Sequence, residues 1–163
     1  MDQIILDRIM VLNLVLSTII FYWAAVIYLM PKLKEISAAA IFVPILIFHS
    51  LRHLGLMFMA SGAVYEGMPP QFAYPAGIGD FISALLALFA LYAIRQDKPF
   101  KIAAMWVFNV VGTIDLINAI SMGALHNIGP YMGASYWIPS FWVPALLVTH
   151  YIVFKKLFLD RSV

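Results

Sequence analysis

"ILIFHSLRHLGLMFMASG", residues Ile45–Gly62, is apolar enough to cross a membrane, yet it carries His49, Arg52 and His53 near its middle. Ionisable side chains are costly in hydrocarbon, so such a stretch reads as a span only if those groups find partners or a task inside a bundle. Its surroundings decide for the span. The chain has 163 residues, 64% hydrophobic and 11% charged, with a mean hydropathy of +0.94. Soluble domains carry about 25% charged residues, so the composition is that of an integral membrane protein. There is no cysteine, which excludes disulfides, thiolate metal ligands and thiol nucleophiles. The opening "MDQIILDRIM" lacks the basic start of a signal peptide and no small-residue cleavage site follows it, so the first apolar run is expected to remain as a span.

Working outward, breaks rich in Pro, Gly or charge ("PKLKE", "SGAVYEGMPPQFAYPAG", "RQDKPFK", "LHNIGPYMGASYW") separate five apolar runs. They predict an all-α integral membrane protein, a single transmembrane domain over 1–163 forming a five-helix bundle. Spans are expected at about 9–30, 36–60, 77–94, 102–124 and 137–154. Basic residues collect on one side: Lys32 and Lys34 in the first loop, Arg95, Lys98 and Lys101 in the third, Lys155, Lys156 and Arg161 in the tail. The other side has only Arg8, with Asp2, Asp7 and Glu66. Positive residues stay inside, which predicts an outside N-terminus and a cytoplasmic C-terminus. Tyr131, Tyr136 and Trp137 suit an outer aromatic belt, Tyr28 and Trp106 an inner one.

Depth follows from about 1.5 Å of rise per residue, counted from the inner end of each span. His49 then lies about 20 Å up, Arg52 and His53 about 24–25 Å, Asp80 about 21 Å, Asp115 about 20 Å, Asn118 about 24 Å and Asn13 about 25 Å. These residues are expected to share one polar layer in the outer half of the membrane. His150 counts to only about 8 Å, level with Asn109, which suggests a second, smaller patch. Asp80 falls in the first turn of the expected third span, where the helix dipole favours a carboxylate. Pro44 should bend the second span just below the layer.

Arg52 cannot shed its charge and must pair, and Asp80 and Asp115 are the acids at its depth. One reading is purely structural: a polar network that orients the helices of an accessory subunit. A second is a small-ligand or proton site of a sensor or transporter, built from His49, Arg52, His53, Asp80, Asp115, Asn118 and His150. One arginine against two aspartates leaves a surplus negative charge for a proton, a charged histidine or a cationic ligand to balance. A third is a metal or redox site: His49 and His53, spaced i, i+4, with Met57 and Asp115 could ligate zinc, iron or copper, although Arg52 stands among them. Haem is disfavoured, because His49 and His53 share one helix and His150 counts to a lower level. The short basic clusters and the lack of a phosphate-cradling glycine loop speak against nucleic-acid or nucleotide binding. The expected partners are the lipid bilayer and an unidentified small ligand, and so small a bundle is compatible with a homodimer. The two loops "EGMPPQFAYPAGIGD" and "GPYMGASYW" should cap the layer, with Phe72, Tyr74, Tyr131, Tyr136 and Trp137 available to close a pocket.

From Arg52 onward the chain resembles a broad set of small bacterial integral membrane proteins without an established activity. The resemblance rests on "GMPPQFAYPAGIGDFISALLALFALYA", "FNVVGTIDLINAISMG" and "IPSFWVPALLVTHYIVFKKL", covers about two thirds of the chain, and is most distinctive in the PPxFAxPAGxGD stretch. It includes Arg52, Asp80, Asp115 and His150, and it implies a multi-pass location in the bacterial cytoplasmic (inner) membrane.

Overall fold

The computed structural model describes residues 3–161; Asp2 and the Arg161 side chain lie outside what is described. Five helices carry the fold: α1 (Gln3–Ala24), α2 (Ala38–Ser50), α3 (Pro70–Arg95), α4 (Lys101–Leu125) and α5 (Val143–Arg161). With the turns that continue them they form five segments long and apolar enough to cross a membrane: Ile5–Lys32, Ala38–Met59, Pro70–Arg95, Lys101–Leu125 and Gly133–Asp160. The number of such segments among the described residues agrees with the hydropathy pattern. Three features differ from it, and each difference moves the polar residues.

First, α3 starts at Pro70, seven residues before the expected position. Pro69 is extended and Pro70 occupies the first helical turn, where a missing N–H costs nothing. Asp80 is therefore deep in α3 rather than in its first turn, and the helix dipole does not account for it. Second, α2 continues unbroken through Pro44, and the change comes instead at Leu51, where Leu51–Met59 winds as a 3₁₀ helix. Third, α5 runs on to Arg161 and takes the basic tail into the bundle. Lys156 is 3% exposed, donates to the Leu33 carbonyl at 3.2 Å and pairs with Asp160 at 2.9 Å, so it anchors α5 to the first loop rather than projecting from a free tail.

α3 is the hub. Its buried face is a stripe of small residues, Ala73, Ala76, Gly77, Ser83, Ala84, Ala87, Ala90 and Ala93, recurring every three or four positions. Small side chains let neighbouring backbones approach, and α3 packs closely on α4, α2 and the 3₁₀ segment. α5 closes the ring against α2 and α4, and α1 lies outside it, packed along α5. α1 is mostly exposed, held by Phe21 edge-on to Phe141 (5.3 Å) and by Asn13 donating to the Tyr136 hydroxyl (3.1 Å).

At the end that bears the lysines, the α3–α4 turn is tied by the Lys101–Asp97 ion pair, and the ammonium holds the Asp97 carboxyl below the usual carboxylate range. At the opposite end, the two long loops bond to each other: Tyr65 N–H to the Tyr131 carbonyl and Ser135 N–H to the Ala63 carbonyl, both at 2.9 Å. Asp7 on α1 accepts from Gly129 N–H at 2.9 Å and joins this cap. Two apolar clusters result. One, around Leu46, Ala87, Met105, Phe108 and Val153, fills the lysine end; the other, around Phe58, Phe72, Leu116, Met132 and Leu146, fills the loop end. The charged residues lie between them.

Candidate functional site: a buried arginine between two carboxylates

The 3₁₀ segment explains why Arg52 faces inward. An α-helix advances 100° per residue and a 3₁₀ helix about 120°, so side chains three apart eclipse in the latter. Arg52, Gly55 and Phe58 are the buried residues of Leu51–Met59, and His49, three before Arg52, is the last buried residue of α2. His53 would share the face of His49 in a continuous α-helix. The tighter winding turns it outward instead, where it is exposed and bonds the Ser50 carbonyl through Nδ1 at 3.0 Å.

Arg52 is 1% exposed and its guanidinium is spread over three elements. Nε donates to Asp80 Oδ1 of α3 at 2.7 Å, and Nη2 to Asp115 Oδ2 of α4 at 2.5 Å. Nη1 donates to the Gly112 carbonyl at 3.2 Å and faces His150 Nε2 at 3.4 Å. The fork thus uses its fixed geometry on two acids at once, which an ammonium cannot do.

The histidines form the next tier. Asn109 gives its amide N–H to the His150 carbonyl (3.2 Å), so its oxygen accepts from His150 Nδ1 (2.7 Å). That bond assigns the His150 proton to Nδ1 and leaves the Nε2 lone pair toward Arg52. Thr149 donates to the carbonyls of Ala145 or Leu146, both at 2.9 Å, and so accepts from His49 Nε2 at 2.8 Å. The two imidazoles meet edge to face with centroids 4.3 Å apart. His49 Nδ1 is buried in this tier with no hydrogen-bond partner among the described residues, as is Ser83 Oγ on α3.

Three glycines clear the space. A Cβ on Gly55 would strike the Asp80 carboxylate, and one on Gly79 the Asp115 carboxylate. A Cβ on Gly112 would stand 2.9 Å from both Arg52 Nη1 and His150 Nε2. Each glycine comes from a different element, so the socket is made by all three together.

Of the residues singled out from sequence, Arg52, Asp80, Asp115, His150 and His49 converge. His150 joins the layer that the depth count denied it, because α5 extends beyond the assumed inner end at 154 and lifts His150 to about 16 Å. Asn109 is hydrogen-bonded to it directly, so the supposed second patch is one tier of the same site. Asn118 is exposed on α4, Asn13 is engaged with Tyr136, and Met57 is half-buried, off the face of Arg52, Gly55 and Phe58. The grouping of His49, His53, Met57 and Asp115 therefore dissolves, and no three His, Asp or Glu side chains among the described residues are placed to hold a metal ion. Thr149, Gly55 and Gly112 carry no signal of their own in the sequence, and Gly79 of "PAGIGD" reads there only as room for close helix approach. The period of Asn109, Gly112 and Asp115 down one face of α4 is the signal that could have found one of the glycines.

Above the cluster, toward the loop end, a cavity of about 170 Å³ lies between α1, α3, α4 and the start of α5. Its wall is apolar, from Met10, Leu14, Phe58, Phe72 and Leu116 among others, and its only charged groups among the described residues are Asp80 and Asp7. Asp80 Oδ1 holds Arg52, and Oδ2 takes no hydrogen bond among the described residues. The ion cluster is thereby connected to space that a small molecule can occupy.

Fold and site together define a class: small helical bundles of membrane-crossing length with a buried, hydrogen-bonded ion cluster beside an apolar cavity. Within it, the chain belongs to the family described as "Domain of unknown function (DUF8737)", whose model matches residues 9–158. No curated protein and no solved structure matches the chain.

Proposed function

We propose that this chain is a multi-pass protein of the bacterial cytoplasmic membrane, N-terminus outside and C-terminus in the cytoplasm, that binds a small molecule in the cavity above Arg52. Binding would act on the charge balance of the Arg52–Asp80–Asp115 cluster, as in a sensor or transporter. One observation carries the reading: Asp80 is at once the ion-pair partner of Arg52 and part of the cavity wall. A cluster built only to hold helices together has no need to present a carboxylate to a cavity. The concentration of Lys and Arg at one end of the bundle supports the orientation.

The natural absence of cysteine provides a clean test. Ala119→Cys places one thiol on the cavity wall. In sealed vesicles of known orientation, a membrane-impermeant trimethylammonium methanethiosulfonate should modify it from the N-terminal side, and Ile120→Trp, which fills the cavity, should block the reaction. No modification, or modification only from the cytoplasmic side, would count against the reading.

A further inference from the structure

We propose that the ligand is a small amphipathic cation, its apolar body in the cavity and its positive head on Asp80, and that it enters in exchange for a proton. The proposal rests on the cavity being a ligand site and goes on to name the ligand class. Among the described residues that line the cavity there is no Lys, Arg or His, and the two charged ones are both acids. Asp7 already accepts from Gly129 N–H, which leaves the Asp80 carboxylate, whose Oδ2 takes no hydrogen bond among the described residues, as the anion open to a ligand.

The charges around Asp80 are known from every packed element. The 3₁₀ segment contributes Arg52, α4 contributes Asp115, α5 contributes His150 hydrogen-bonded as an acceptor toward Arg52, and α2 contributes His49. α1 contributes Asp7 at the rim. One fixed cation faces two carboxylates, so the empty site is neutral when one carboxyl carries a proton. An ammonium arriving at Asp80 replaces that proton one for one, and the site stays neutral with the ligand bound. An anion would face two carboxylates instead, and a neutral molecule would leave the proton where it is. Size sets the second limit. A cavity of about 150 Å³ takes up a benzene molecule, so 170 Å³ suits one ring or a short chain with a single charged head.

The test uses the full chain in lipid nanodiscs near neutral pH with three probes of similar shape: 2-phenylethylamine, ethylbenzene and phenylacetate. Calorimetry should show saturable binding of the amine at least tenfold tighter than of the other two. Titration in buffers of different ionisation enthalpy should show release of close to one proton per amine bound and none with ethylbenzene. Asp80→Asn should weaken the amine at least tenfold and leave ethylbenzene unchanged. Because that variant removes a partner of Arg52 and can misfold, Ala119→Phe serves as the second: it fills the cavity, keeps the cluster, and should abolish binding of the amine. Equal or tighter binding of phenylacetate, or amine affinity indifferent to both variants, would overturn the proposal. Ethylbenzene binding as tightly as the amine would overturn the cationic class but leave the cavity as a ligand site. An unreactive thiol at Ala119→Cys would remove the cavity reading itself.

Discussion

Arg52 is the residue on which the others depend, since both carboxylates, the Gly112 carbonyl and His150 all turn toward it. Removing one partner of a buried ion pair typically costs about 3–5 kcal/mol, because the remaining charge stays buried. Arg52→Leu should therefore lower stability by about that much in a reversible unfolding titration, and Arg52→Lys should recover little of it, having no fork to span Asp80 and Asp115. The cycle of Arg52→Leu with Asp115→Asn should give a coupling energy of about 1–3 kcal/mol; a value near zero would mean the two act independently. Gly79→Ala should cost about 1–3 kcal/mol by pushing Asp115 off its position, although it changes no charge. His53→Ala should shift stability by less than about 0.5 kcal/mol, since the ring is exposed and bonds only its own turn. Arg52, Asp80 and Asp115 were legible in the sequence because so few charges stand inside apolar runs. His53 was misplaced because i, i+4 spacing presumes an α-helix, and nothing in "SLRHLGLMFM" announces the tighter winding.

At the scale of the element, α3 shows what hydropathy hides. A hydropathy window registers Ala, Gly and Ser as merely less apolar than Leu, yet in α3 they form the face on which three other segments close. Ala90→Leu, at a fully buried position of that stripe, should cost about 1–3 kcal/mol through overpacking, whereas Leu88→Ala on its exposed face should change little in the same assay. The start of α3 was obscured by "PPQFAYP", whose prolines read as a loop; Pro70 instead occupies the first turn, and Pro75 lies close enough to the start for the helix to carry it. α5 was cut short for the opposite reason. Lys155 and Lys156 read as the end of a span, but Lys156 reaches the Leu33 carbonyl and Asp160, and the helix runs on to Arg161.

For the whole molecule, the five long apolar segments were readable because composition alone demands them, and the short connections at the lysine end leave few ways to arrange the segments they join. What could not be read was lateral placement: nothing in the sequence says that α1 stands outside a ring of four, or that α5 lies opposite α3. The proposed orientation predicts that a fluorescent protein fused after Val163 will fluoresce in intact cells, while Glu66→Cys will react with an impermeant reagent added outside. The reverse pattern would invert the site, placing the cavity mouth on the cytoplasmic side.

The 3₁₀ winding of Leu51–Met59 has a further consequence, one of length. Thirteen residues of α2 at about 1.5 Å and nine of the tighter segment at about 2.0 Å reach about 37 Å, where an ordinary helix of the same 22 residues would reach about 33 Å. α3 and α4, with 26 and 25 residues, reach about 39 and 37 Å. The stretched stretch lets the shortest traverse match its neighbours, so relaxing it to ordinary helix would both swing the guanidinium away from its acids and leave the chain about 4 Å short of the loop it has to join.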